Sequence, residues 1–194
     1  MRRGRTAFYI LGMRLFVALP LPESLRERIA LMQQGLDNVR WVAPENLHLT
    51  LRFLGDLDGR EAADLDAALR GIDVPAFEMA LAGLNTFGNG KKVRAVVLDA
   101  EAPEPLLRLH TKVEQAVQRA GQPGEGRKFR PHVTLARVKG PPGRKLGIFL
   151  QQHGLFRSDP MLVDRFQLYS SKLTEDGPIY RVEADYPLDH RAVL

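Results

Sequence analysis

Apolar residues along this chain follow two rhythms, one of period two and one of helical period. Arg14–Leu19 is a short apolar run that reads as a core strand, and Pro22 then opens a helix whose apolar positions Leu25, Ile29, Met32 and Leu36 are spaced for one face. Val39–Val42 and Leu47–Leu54 read as strands, and Gly59–Arg70 as a helix carrying Ala62, Leu65 and Leu69 on one side. Phe77–Phe87 and Val93–Leu98 predict two strands joined through Asn89-Gly90, a hairpin signal. The clearest helix is Pro103–Ala120, with Leu106, Leu109, Val113, Ala116, Val117 and Ala120 in one stripe. A Gly/Pro loop spans Gly121–Gly126, Val133–Val138 is a strand and Lys145–His153 a short helix. Leu162–Ser170 and Ile179–Tyr186 read as strands joined through Asp176-Gly177-Pro178.

This pattern repeats once. Pro22-Glu23-Ser24-Leu25 follows an apolar strand and opens a helix, and Pro103-Glu104-Pro105-Leu106 does the same 81 positions later. Leu47-His48-Leu49-Thr50-Leu51 is echoed by Pro131-His132-Val133-Thr134-Leu135, 84 positions later. The near-constant offset predicts two strand–helix–strand modules packed with approximate two-fold symmetry, in one domain or two small closely packed lobes over residues 13–194. Residues 1–12 hold Arg2, Arg3 and Arg5 and no acid, and are read as an N-terminal extension or an upstream start.

Composition narrows the chemistry. The chain has 194 residues, 44% hydrophobic and 26% charged, which excludes a disordered chain or a coiled-coil rod. The absence of cysteine removes thiol nucleophiles, disulfides and thiolate metal sites, and fits a cytoplasmic location. Thr6–Leu21 is interrupted by Arg14 and is too short to cross a membrane. A net charge of +5 favours an anionic partner.

The His-x-Thr-Leu pair is the chemical signal. Residues i and i+2 of a strand share a face, so His48 stands beside Thr50 and His132 beside Thr134, with the intervening leucines and valine on the other face. Two such half-sites across a cleft would give a general base and a general acid about one central atom, with hydroxyls for its oxygens. A packed strand histidine is the bland reading of either motif alone; its recurrence at matching places favours function. A metal site would need further ligands, and no Cys, Asp or Glu completes a set around either motif. His110, between stripe positions of a helix, reads as solvated; His153 and His190 carry no assigned role. Arg127, Lys128, Arg130, Arg137, Lys139, Arg144, Lys145 and Arg157 occur with no acid between Gly126 and Ser158, either a solvated face or a surface for a phosphate backbone. Arg130 precedes Pro131, hence is extended, and on the face of His132 could bind a phosphoryl oxygen. Lys92 stands where a P-loop needs Ser or Thr, and no G-x-G-x-x-G is present. Trp41 could stack a base, and a core or rim position is the favoured reading.

These residues resemble the 2H phosphoesterase superfamily, and within it the bacterial RNA 2′,3′-cyclic phosphodiesterase branch, also called the 2′-5′ RNA ligase or LigT-like family. The blocks that carry the resemblance are Met13–Leu19, Trp41–Gly55, Phe129–Arg137, Leu168–Ser171 and Asp176–Tyr180. Val93–Asp99 departs from the pattern, lacking a Trp that relatives often carry. The resemblance implies a bilobal α+β fold with the site between lobes. It also implies hydrolysis of RNA 2′,3′-cyclic phosphate ends to 2′-phosphates without metal or nucleotide cofactor. By that likeness His48 protonates the departing 3′ oxygen, His132 activates water, and Thr50 and Thr134 hold phosphoryl oxygens. The reverse reaction would join RNA ends through 2′-5′ linkages. The expected partner is RNA with a 2′,3′-cyclic phosphate end, bound by a monomer with no membrane. A phosphodiesterase for small cyclic nucleotides or 2′-5′ oligonucleotides, and a non-catalytic RNA-binding module, are the alternatives.

Overall fold

The computed structural model describes residues 13–88, 92–141, 143–175 and 177–189. The expectations for residues 1–12, the Asn89-Gly90 turn, Asp176 and His190 fall outside them. Fourteen strands and helices follow in order: β1 (Met13–Pro20), α1 (Glu23–Ala30), β2 (Val39–Trp41), β3 (His48–Leu57), α2 (Gly59–Arg70), β4 (Phe77–Met79), β5 (Leu81–Phe87), β6 (Ala95–Ala100), α3 (Glu104–Arg119), β7 (His132–Val138), α4 (Arg144–His153), β8 (Met161–Val163), β9 (Arg165–Thr174) and β10 (Gly177–Pro187). A 3₁₀ turn at Pro44–Asn46 leads into β3.

Local chemistry sets the helix bounds. Asp58 caps α2, its side chain accepting from the Arg60 and Glu61 amides at 2.8 Å while Glu61 reaches back to the Asp58 amide. The helix α1 stops at Ala30, well short of Leu36. Tight backbone turns take over at Met32–Gln34, and Gly35 adopts a φ of +80°, so Met32 reaches the core from a turn. The runs read as single strands at 77–87 and 162–170 are each broken, at Ala80 and Asp164, because the two parts pair with different partners.

One eight-stranded antiparallel sheet runs β10-β9-β1-β3-β7-β6-β5, with β2 on β7, and β4 pairs β8 in a separate ribbon. The duplication is wider than the sequence repeat. The series β3, α2, β4 and β5 is matched, about 84 positions on, by β7, α4, β8 and β9. In the β3–β7 ladder Leu49 pairs Val133, and in β4–β8 Glu78 pairs Leu162; both partners are 84 apart. Residues equivalent by duplication meet each other only on a two-fold axis, so both ladders lie on it. The core is on one side of the sheet: Leu25 and Ile29, Leu65 and Leu69, and Leu106, Leu109 and Val113 pack on Leu19, Leu49, Val133 and Leu135. On the same side α4 lays Leu146 and Phe149 on Val96 and Ala136, with Trp41 against Phe149. His110 is not solvated: its ring stacks on Phe129 with centroids 3.9 Å apart. Among the described residues no helix is long and apolar enough to cross a membrane.

Candidate active site

Both histidines sit on the sheet face opposite the core. With Leu49 paired to Val133, continuing the antiparallel register sets His48 opposite Thr134 and Thr50 opposite His132. The two histidines are then diagonal neighbours, whose backbones stand about 7–8 Å apart in a regular ladder. They feel each other electrostatically: His132 helps to depress the His48 pKa.

Two β-bulges complete the arrangement. On β1, Val17 pairs Arg52 and Ala18 pairs Thr50, leaving Leu51 as an extra residue in β3. On β6, Val96 pairs Ala136 and Val97 pairs Thr134, leaving Leu135 extra in β7. The bulges are themselves 84 apart. Each shifts the alternation by one, so the next residues on the His/Thr face are Phe53, opposite Phe16, and Arg137, opposite Ala95. Half-sites of His48, Thr50 and Phe53 and of His132, Thr134 and Arg137 thus face each other across the axis. They differ in kind, one ending in a ring that is 60% exposed and the other in a guanidinium.

Each imidazole is held in the same way. The His48 Nδ1–H donates to the Asn46 carbonyl and the His132 Nδ1–H to the Arg130 carbonyl, both at 2.7 Å. Each Nε2 is thereby left as the free base. The His48 Nε2 lies 3.1 Å from Thr50 Oγ1, whose hydroxyl can donate to it. Around His48 stand Phe16, Tyr180 and Tyr169, with centroids at 4.8, 5.3 and 6.0 Å. This aromatic wall desolvates the ring and lowers its pKa to about 4, with His132 and Arg137 adding to the shift and the Asn46 carbonyl opposing it. His132 has Phe87 edge-on at 4.5 Å; burial lowers its pKa too, and Arg130 and Arg137 add while the Arg130 carbonyl and Asp99 oppose. Burial pushes the Tyr169 phenol up to about 12.

Arg130 precedes β7 and does not point freely into the site. Its Nη2 is 3.1 Å from Asp99 Oδ1, and its guanidinium lies 4.8 Å over the Phe87 ring. Asp99 is placed there because it pairs His132 in the β6–β7 ladder and accepts from Asn85. Phe16, Phe53, Tyr169 and Tyr180 were not legible as site residues. The offset of 84 applied to Phe53 would have drawn attention to Arg137, otherwise one cation of a basic run. No group of three or more His, Cys, Asp or Glu able to hold a metal occurs among the described residues. Cavities of about 80 and 320 Å³ beside α4, lined by Lys145, Leu146 and Phe149 among others, include neither His48 nor His132.

Comparison with known proteins agrees with this geometry. The family model described as LigT like Phosphoesterase matches twice, over residues 19–98 and 96–180, one match per half of the duplication. A Methanothermobacter thermautotrophicus protein named RNA 2′,3′-cyclic phosphodiesterase is 34% identical over 86% of this chain and 94% of its own. A Thermus thermophilus protein of the same name is 35% identical over 91% and 90%. A crystal structure of a Thermus thermophilus protein superposes with a TM-score of 0.77 at 30% identity, covering 93% of this chain and all of that one. Escherichia coli LigT complexed with 3′-AMP gives 0.73 at 28% identity, covering 91% and 98%. On two half-sites related by an internal two-fold, and on these likenesses, the chain belongs to the LigT-like phosphoesterase family of 2H enzymes.

Proposed function

We propose that this chain hydrolyses RNA 2′,3′-cyclic phosphate ends to 2′-phosphomonoester ends with His132 as general base and His48 as general acid. The observation that carries the reading is the matched pair of imidazoles. Each is anchored through Nδ1–H to a carbonyl two residues upstream, so that both Nε2 atoms serve one sheet face. The relatives named RNA 2′,3′-cyclic phosphodiesterase support the substrate class.

In the proposed step the His132 Nε2 removes a proton from water as the water oxygen attacks phosphorus. The bond from phosphorus to O3′ breaks, and the His48 Nε2–H delivers a proton to O3′, leaving a 3′-hydroxyl and a 2′-phosphate. With an RNA hydroxyl in place of water the same groups run 2′-5′ joining. His48 must carry a proton that its aromatic wall disfavours in the free protein. The anionic phosphodiester between the rings supplies the charge that restores it. Thr50 and Thr134 donate to the non-bridging oxygens. Arg130 holds Asp99 through Nη2 and offers its remaining N–H groups to the phosphoryl group. Phe53 and Arg137 flank the pair with an aromatic face and a guanidinium plane, the two surfaces on which an unpaired base stacks. Both half-sites belong to one chain, so a monomer suffices.

Incubation with RNA bearing a 2′,3′-cyclic phosphate, in excess EDTA, should yield a 2′-phosphate end at an undiminished rate. A 3′-phosphate product would exchange the leaving oxygen. Binding without turnover would make the chain a non-catalytic RNA-binding module, and turnover confined to free cyclic nucleotides would move it to the small-substrate class.

A further inference from the structure

Arg40 and Arg137 are paired directly opposite each other where β2 meets β7. Like charges at directly opposed positions destabilise a ladder. A nearby carboxylate can relieve such a clash, and elsewhere in this chain Arg52, Arg130 and Arg157 each have one, in Glu114, Asp99 and Glu101. Among the described residues no ion pair relieves either Arg40 or Arg137. Val39 and Trp41 face the core cluster under α4, which puts Arg40 on the other face, that of the histidines. Burial raises the pKa of Tyr180, itself against His48, and the charges of Arg137 and Arg40 oppose that shift. The Arg40 guanidinium also rests on the backbone of Gly177, where a Cβ would come within 2.5 Å of Nη2 and where φ is +135°. The hairpin thus leaves room for this side chain, and its described residues give it no counter-charge.

We propose that Arg40 binds the phosphodiester on the 5′ side of the reacting nucleotide, so that the site favours an RNA chain over a free cyclic mononucleotide. The inference rests on the reading that the histidines work on an RNA 2′,3′-cyclic phosphate. A cyclic mononucleotide without a 5′-phosphate has only the charge the histidines need. An RNA end brings one more anion a single nucleotide away, and Arg40, with no ion pair among the described residues, is a cationic group on that face fitted to receive it.

The experiment compares wild type with Arg40→Gln and Arg40→Lys on three substrates: a cyclic-phosphate-ended trinucleotide, the same trinucleotide with a neutral methylphosphonate as its last internal linkage, and a 2′,3′-cyclic mononucleotide. Arg40→Gln should raise KM for the trinucleotide about tenfold or more, the worth of a charge-assisted hydrogen bond, with kcat little changed. The preference for trinucleotide over mononucleotide should fall by the same factor, and Arg40→Lys should restore part of it. Wild type on the methylphosphonate should resemble Arg40→Gln on the natural chain. Equal losses on trinucleotide and mononucleotide, or a methylphosphonate that wild type processes as well as the natural chain, would overturn the proposal. Equilibrium binding of a 2′-phosphate-ended trinucleotide needs no turnover and separates the two claims. There Arg40→Gln should flatten the slope of log K against log salt by about 0.7, one counterion for a single strand. An inactive wild type would refute the hydrolase, whereas equal affinities and slopes would refute the role of Arg40. A fall in melting temperature without these changes would make Arg40 a clamp on the β9–β10 hairpin.

Discussion

At the residue scale, the two histidines share a motif but not an environment. His48→Ala and His132→Ala should each reduce kcat by roughly 10²–10⁴, the usual worth of a positioned acid or base. In the proposed mechanism the two act as a unit, so the double variant should lose less than the product. Steady-state kinetics on a cyclic-phosphate-ended RNA checks this, and a fully active single variant would refute the assignment. The depressed pKa values set the pH dependence. The profile of kcat/KM reports the free protein, in which protonation of either ring is disfavoured, so its optimum should lie on the acid side of the ordinary histidine value near 6.5. The profile of kcat reports the complex, where the phosphate anion favours the imidazolium, and should be displaced to higher pH. A kcat/KM that climbs through pH 8 would contradict this. For Phe53→Ala we expect KM for RNA to rise about tenfold with kcat nearly kept, within the range of one lost base stack; comparable kinetics for the two proteins would remove Phe53 from the site.

At the scale of elements, β3 and β7 carry the site and must be held at their far ends. Arg52, on the core-facing side of the β3 bulge, lies 3.2 Å from both Glu114 of α3 and Glu125, and donates to the Pro123 carbonyl at 2.5 Å. It ties the strand to the helix and to the Gly/Pro loop, and it is 9% exposed. Its truncation would leave the Glu114 carboxylate without its counter-charge. Arg52→Ala should therefore cost about 3 kcal/mol, the lower end for a broken buried pair given the partial exposure of Glu125. For a chain of this size that is a fall of roughly 10 °C in melting temperature. Thermal denaturation measures it, and a change under 2 °C would show the staple to be dispensable. The strand breaks at Ala80 and Asp164 are a further property of elements. Each run is continuous in hydrophobicity, and its division follows from which strand lies beside each half.

For the whole molecule, the two-fold places one imidazole from each half on a shared face, while the surroundings of the two halves differ. The β9–β10 hairpin adds Tyr169 and Tyr180 to the His48 side. This asymmetry has a global readout. His48 binds protons less readily folded than unfolded, so the unfolded chain holds more protons between pH 4 and pH 6.5. The stabilisation is present in full above the unfolded value and is lost as pH falls through that window. His110 and His132 act in the same direction. Melting temperature should drop more steeply from pH 7 to 4.5 for wild type than for His48→Gln. Parallel curves would mean that the burial of His48 is not felt in folding.

Much of this was legible in the chain alone: the faces of α2 and α3, the duplication, the two His-x-Thr motifs and their shared face. All of these rest on periodicity along one segment, which side-chain geometry enforces locally. What the tertiary structure decided lies across segments. Alternation from His132 would put Ala136 on the face of the histidines, and the extra residue at Leu135 puts Arg137 there instead, because the β6 register counts from its own strand. Asp99 captures Arg130 only because β6 lies beside β7, and the aromatic rings that lower the His48 pKa come from β1, β9 and β10. Which strand is neighbour to which, and in what register, is set by packing of the two halves about their axis. No single stretch of sequence contains that information.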